Sequence, residues 1–372
     1  MIEYRKARPD EREACIELAN LAFQFDLEAQ LPKVYGKDSS FTSLHKVAAD
    51  EHGKLRAQVA VLPQRLHVGD HSLRAGFVGI VSVHPEARGE GHMKALMNEW
   101  LDEMRDSYDM AVLWGQRQRY EYFGFTQGGV QFKYWIGEAN VRHALRETNA
   151  ERLSFRPLFE VDGADSFAHA LNASRPAYVR REDESLPDYF KTLKQVAIGV
   201  LDDDKLIGYV IANDKGDEIS EFAIEDQSDI TRTIKAYMKH AGADRISILV
   251  PEYDTALNAI LGGFAEIYTI ETVNMYRIFD YANVMQAYLT LKHRTIGLAH
   301  GVFSAVLDGQ PVTVRSDENG VTVERSALAG AVTLDQRQAQ TLLLSRHGVY
   351  LPVSAPAGWF PLQLFWYTAD LF

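Results

Sequence analysis

Thirteen residues, Val81-Ser-Val-His-Pro-Glu-Ala-Arg-Gly-Glu-Gly-His-Met93, hold the most legible chemistry in the chain. An extended run stops at Pro85 and passes through Arg88-Gly-Glu-Gly91. It then enters a pattern in which Met93, Leu96, Met97, Trp100, Leu101 and Met104 fall on one helical face. A helix that starts beside glycines offers unpaired amides and the positive end of its dipole, with room for a ligand to approach the backbone. The expected guest is a phosphate or pyrophosphate. A Walker A loop would need Lys-Ser/Thr after the last glycine, where this chain has His92 and Met93. A dinucleotide turn would need a third glycine and an acidic residue closing the next strand, and neither is in place.

The surrounding elements explain how such a turn would be held. Glu3–Lys6, Leu55–Val61, Gln64–Val68, Ser72–Val83 and Met110–Leu113 read as strands, with helices over Pro9–Ala22 and Met93–Arg105. Fainter copies follow: strands at Val196–Leu201, Leu206–Ala212, Ile219–Ala223 and Arg245–Val250, with a helix at Ile230–His240. Where the first half has Arg88-Gly-Glu-Gly91, the second has Glu225-Asp-Gln-Ser-Asp229, which repels an anion. The pattern is that of a duplicated mixed α/β unit whose second copy has lost its anion site; two unrelated α/β segments are the alternative. From Asp280 onward a helix at Tyr281–Leu291, strands at Gly301–Leu307, Pro311–Ser316 and Val321–Arg325, and a helix at Thr333–Ser345 predict a small α+β domain. Domains are expected at 1–138, 139–279 and 280–372. The aromatic end, Gly358 to Phe372, is predicted to be tied down.

Composition excludes several classes. The 372 residues carry a net charge of −12, which argues against a nucleic-acid partner. The single cysteine, Cys15, lies in a helical pattern and reads as a small buried hydrophobe. No apolar run approaches the roughly eighteen residues of a membrane span, and no leader pattern opens the chain, so a cytoplasmic protein without a membrane span is expected. No metal-ligand spacing occurs, and His84 and His92 have no second ligand beside them. Ser82 lacks the context of a serine nucleophile.

Val81 to Lys94, with its Arg-x-x-Gly turn, resembles the acetyl-coenzyme A motif of the GNAT acetyltransferase superfamily. Met93, where most members have Gly or Ala, is similar to one branch, the enhanced intracellular survival (Eis-like) family. Tyr120-Glu-Tyr-Phe-Gly-Phe125 resembles a second segment of that branch. The resemblance implies two GNAT-like units, the second degenerate, and a sterol-carrier-protein-like domain. It implies acetyl transfer from acetyl-CoA to a primary amine, such as a polycationic aminoglycoside or a lysine side chain. It also implies a homo-oligomer, with a hexamer as the assembly to test.

By the same resemblance Val81, Ser82 and Val83 hold the pantetheine arm, and Arg88, Gly89, Glu90, Gly91, His92, Met93 and Lys94 form the pyrophosphate turn. Gly115 and Gln116 touch the cofactor from the next strand. Tyr120 is the general acid, which suits a phenol whose ordinary pKa is about 10. The base is the terminal carboxylate of Phe372. Phe23 and Asp26 fall in a loop that would wall the acceptor pocket, where an aromatic and acidic surface suits a cation. A binding protein without catalysis, an acyl-CoA sensor or apolar-ligand carrier, is the alternative; it would need the cradle but no acid.

Overall fold

The computed structural model describes residues 1–36, 39–182 and 186–372. They fall into two compact units: residues 1–129 with 273–364 and 371–372, and residues 130–272 with 365–370.

In the first unit, strands β1 (Glu3–Lys6), β2 (His45–Ala49), β3 (Leu55–Val68), β4 (His71–Val83), β5 (Met110–Leu113) and β6 (Thr126–Gln127) build one mixed sheet. Its order is β1-β2-β3-β4-β5, then Met275–Ile278, then β6. β4 and β5 run parallel, and they pair from Ala75 to Phe77. Beyond Phe77 the two strands have no common ladder. The sequence reading of two strands at 55–61 and 64–68 is corrected to a single β3, because Pro63, with no N–H to donate, is accommodated opposite Gly76. His45–Ala49, not foreseen, is a further strand of the sheet.

Apolar residues alternate to opposite faces of this sheet. Val47, Ala49, Leu55 and Ala60 face α1 (Arg12–Phe23), α2 (Leu27–Gln30) and α3 (Pro32–Tyr35), burying Ile16, Leu27 and Tyr35. Ala48, Ala57, Val59, Val61 and Val78 face α4 (His92–Ser107), burying Leu96, Met97, Trp100 and Met104. The helical face read from the sequence is thus the one α4 buries.

The segment after 280 packs in this same unit rather than apart from it. Gln340 accepts from the Ile278 amide at 2.7 Å and donates to the Gly124 carbonyl at 2.6 Å. The Asp308-Gly309 turn has positive φ at both residues (47° and 79°), as a tight hairpin requires. The helix expected from Thr333 begins instead at Gln336, because Asp335 caps it through the Gln338 amide at 2.8 Å while Val332–Leu334 pairs as a strand with Gly301–Leu307. Near the terminus Trp359 is fully buried and donates to the Ala299 carbonyl at 2.8 Å.

The second unit repeats the plan. Its sheet runs Ile267–Glu271, Gln131–Gly137, Arg245–Pro251, Glu218–Ile224, Lys205–Ala212, Val196–Asp202, Leu153–Pro157. Here too one adjacent pair is parallel, Glu218–Ile224 with Arg245–Pro251, joined only at its start. Each sheet takes one strand from the far side of the repeat boundary. Gln131–Gly137 continues the first half of the chain but pairs in the second sheet, and Met275–Ile278 follows the second half but pairs in the first. The boundaries at 138 and 279 therefore do not coincide with the units. In the second copy Asp226 caps its own turn through the Ser228 amide at 2.9 Å, and Asp229 pairs with Arg232 at 2.7 Å.

Within this unit Arg181 lies between Glu221 (2.8 Å) and Asp370 (2.8 Å), all three side chains excluded from solvent. Burial alone would raise the Glu221 carboxyl, but Arg175 and Arg181 pull it down to about 2.

Candidate active site

The turn into α4 passes through two left-handed glycines. A one-turn helix over Pro85–Ala87 leads to Arg88, and Gly89 and Gly91 adopt φ of 88° and 86°. A Cβ at either glycine would meet nothing, so the left-handed backbone rather than crowding calls for glycine there. Gly91 is the N-cap of α4 and no side chain caps it, which leaves the first-turn amides for an outside acceptor. Arg88, Gly89, Glu90, Gly91 and Lys94 are exposed, while Met93 is half-buried against the α4 core.

Two side chains are turned away from that space. His92 is buried, with Nδ1 2.9 Å from the Tyr4 hydroxyl and Nε2 2.9 Å from Glu90 Oε2. The Glu90 carboxylate is thereby tethered to a ring instead of facing the turn. The Lys94 ammonium lies 4.8 Å over the Tyr122 ring.

At the end of β4 a bulge interrupts the ladder. Gln58 pairs with Ser82 but Ala60 pairs with Gly79, so β4 carries one extra residue, and Ile80 takes φ of 49°. Ser82 is buried, its hydroxyl donating to the Ile80 carbonyl at 3.1 Å. The His84 amide donates to the Arg56 carbonyl on β3, so by alternation Val83 presents its N–H and C=O to the opposite, unpaired edge. Val81 and Val83 are half-buried beside it.

The two proposed catalytic groups lie against glycines, one on β4 and one just past β5. After β5 ends at Leu113, Gly115 and Gln116 are exposed, and Gln116 is the N-cap of α5 (Arg117–Tyr120). The Tyr120 ring covers Gly115 so closely that a Cβ there would be 3.0 Å from Cδ2 and 3.3 Å from Cζ. It also meets Phe125 edge-on at 6.4 Å and packs on the α4 side of the sheet. Burial raises the Tyr120 phenol above its ordinary value, so it keeps its proton at neutral pH.

On the other side, a Cβ at Gly79 would be 2.8 Å from the terminal oxygen of Phe372 and 2.9 Å from its Cδ1. The Phe372 ring stacks on Tyr35 at 6.1 Å with 9° between planes and joins the core on the α1 side. Thus Tyr120 borders the splay from one face of the sheet and Phe372 from the other.

Phe23 ends α1, exposed, and stacks on Phe25 at 5.2 Å. Asp26 is exposed and caps α2 through the Ala29 amide at 3.2 Å; Glu28 pairs with Arg12 at 3.0 Å. This loop packs on the same side as Phe372, through Phe25 and Leu27. Gly79, Ile80, Tyr35 and the exposed Trp114 escaped the sequence reading. A signal was present for one of them: a glycine inside an apolar strand run marks a bulge or a close backbone approach.

Residues 3–128 match the family described as the Acetyltransferase (GNAT) domain. Among solved structures, the chain resembles a GCN5-related N-acetyltransferase from Anabaena variabilis ATCC 29413, with a TM-score of 0.72, 17% identity and 100% of both chains covered. A probable N-acyltransferase from Enterococcus faecalis V583 gives 0.69 at 18% identity, with 95% of this chain and 94% of that one covered. Eis1 from Mycobacterium abscessus gives 0.66 at 14% identity over 100% of both chains. At these identities the likeness is one of fold. No curated protein sequence matches the chain. Residues 3–128 thus carry the match to the acetyltransferase (GNAT) domain, and the enzyme class that goes with it is that of an acyltransferase.

Proposed function

We propose that the chain transfers an acetyl group directly from acetyl-CoA to the primary amine of a cationic acceptor, with Tyr120 as general acid and the Phe372 carboxylate as general base. The observation that carries this reading is the seating of both groups on glycines, Tyr120 over Gly115 just past β5 and Phe372 over Gly79 on β4. When bound, acetyl-CoA supplies an activated thioester. The chain's own residues supply everything else. The amides from Gly89 to Lys94 would hold the pyrophosphate, and the free edge at Val81–Val83 would take the pantetheine arm as an added strand. The Val83 N–H would donate to the oxygen that gains charge in the transition state. Tyr120 Oη, kept protonated by burial, would give a proton to the departing sulfur. The Phe372 carboxylate would take the proton that the amine loses, from the opposite face of the sheet. Phe23 and Asp26 would border the amine on that face.

Thiol release from acetyl-CoA should depend on added amine across a panel of polyamines, aminoglycosides, lysine peptides and arylamines. Absence of turnover with every member, while acetyl-CoA still binds, would favour the acyl-CoA sensor instead. The reading extends to the assembly and to residues 280–372, taken as a homo-oligomer, with a hexamer as the state to test, and a sterol-carrier-like scaffold. Light scattering reports the first, and native mass spectrometry for a retained lipid reports whether that scaffold carries a ligand.

A further inference from the structure

Behind Phe372 runs a buried line of hydrogen bonds whose direction is fixed by its last acceptor. Gln58 Nε2 donates to the Cys15 carbonyl at 2.8 Å, which turns Gln58 Oε1 toward His45 Nδ1 at 3.0 Å. A carbonyl oxygen only accepts, so Nδ1 carries the hydrogen. His45 is fully buried, and burial drives its pKa down to about 4, so the ring is neutral and Nε2 bare. Nε2 therefore accepts from the Tyr35 hydroxyl, 2.9 Å away. Every polar atom in the line has one role, and none has an alternative partner in the line.

We infer that Gln58, His45 and Tyr35 are positioning residues: they fix the place of the Tyr35 ring, and through it the Phe372 ring, so that the terminal carboxylate is held at Gly79. The Tyr35 ring cannot draw its hydroxyl away from His45 without leaving two buried polar atoms unpaired. Its ring lies nearly parallel to that of Phe372, and Gly79 leaves no side chain to push the terminal oxygen away. The catalytic meaning of this seat rests on the proposal that the carboxylate is the base. A displacement of about 1 Å at a reacting group costs on the order of a hundredfold in rate.

The test has two independent readouts on Tyr35→Phe and Tyr35→Leu. Carboxypeptidase A, which removes aromatic C-terminal residues, reports how firmly Phe372 is seated, whatever its chemistry. Steady-state kinetics report turnover and the KM for acetyl-CoA. Tyr35→Phe keeps the stack but frees the ring, and should release Phe372 about tenfold faster than the unaltered protein. Its kcat should fall by a similar factor, with the acetyl-CoA KM unchanged; Tyr35→Leu should show larger changes in both. Melting curves identify any variant that has not folded, and Gln58→Met, which removes the acceptor from His45 Nδ1 and leaves Tyr35 and Phe372 in place, then serves instead and should release Phe372 faster than the unaltered protein. Unchanged release in folded variants overturns the seat. Faster release with unchanged kcat overturns the positioning role. Full activity after removal of Phe372 itself would instead reject the carboxylate as base, and the release assay would still report on the seat.

Discussion

The terminal oxygen of Phe372 lies where the Cβ of any other residue at Gly79 would come within 2.8 Å of it. The contact joins Phe372 to β4, the strand whose edge is proposed to take the cofactor. The backbone at Gly79 is not left-handed, so alanine fits the strand, and the three nearest atoms that its Cβ would meet all belong to Phe372.

Gly79→Ala should therefore act as a steric probe. It should lower kcat by about a hundredfold, the order expected for a displacement of roughly 1 Å at a reacting group. The KM for acetyl-CoA should stay within about twofold by the same logic, since the cradle lies elsewhere. Steady-state kinetics at saturating amine make the comparison, and an unchanged kcat would detach Gly79 from the chemistry.

Tyr120→Phe keeps the ring over Gly115 and removes only the proton donor. General-acid catalysis contributes on the order of 10²–10⁴-fold, so kcat should fall by about that much. Isothermal titration should show the same affinity for acetyl-CoA. A kcat equal to that of the unaltered protein would sink the proposed acid.

The cradle glycines should behave differently. Gly91→Ala forces a methyl group into a left-handed backbone with φ of 86°, at a cost of roughly 1–2 kcal/mol. It should also tilt the first-turn amides, so the acetyl-CoA KM should rise by about tenfold or more while kcat at saturation changes little. A lowered kcat with unchanged KM would assign this turn some role other than binding.

The glycine turn into α4 was legible because its determinants are neighbours in the chain: the helical period after Gly91 and the glycines before it. The seat of Phe372 was not, because the reason for a glycine at 79 is a residue at the other end of the chain. The bulge at Ile80 is equally hidden, since its apolar side chain suits either face of a strand. Gln131–Gly137 alternates as any strand does, and periodicity names no partner; its pairing with Arg245–Pro251 is decided by which sheet has the open place. Pro63 misled because proline usually ends a strand, whereas here it is exposed opposite Gly76.

His45 provides a pH dependence that is independent of turnover. Burial lowers its pKa from 6.5 to about 4, against a smaller opposing effect of the Gln58 hydrogen bond. A depressed folded value means that this group's contribution is fully present above pH 6.5 and is lost as pH falls toward 4. The loss amounts to about 3 kcal/mol, an order-of-magnitude figure. Denaturant unfolding between these pH values should show the decline, and His45→Gln should flatten it. Equal slopes for the two proteins would place the ring in contact with solvent.

The most direct test of the terminal carboxylate leaves every side chain in place. Expressed protein ligation can join a synthetic C-terminal peptide that ends in the amide of Phe372, converting the carboxylate to a neutral group of the same shape. The amidated protein should bind acetyl-CoA as the acid form does, with kcat lower by about a hundredfold or more at neutral pH, the scale of a lost general base. Equal kcat for the acid and amide forms would contradict the assignment of Phe372 as the base.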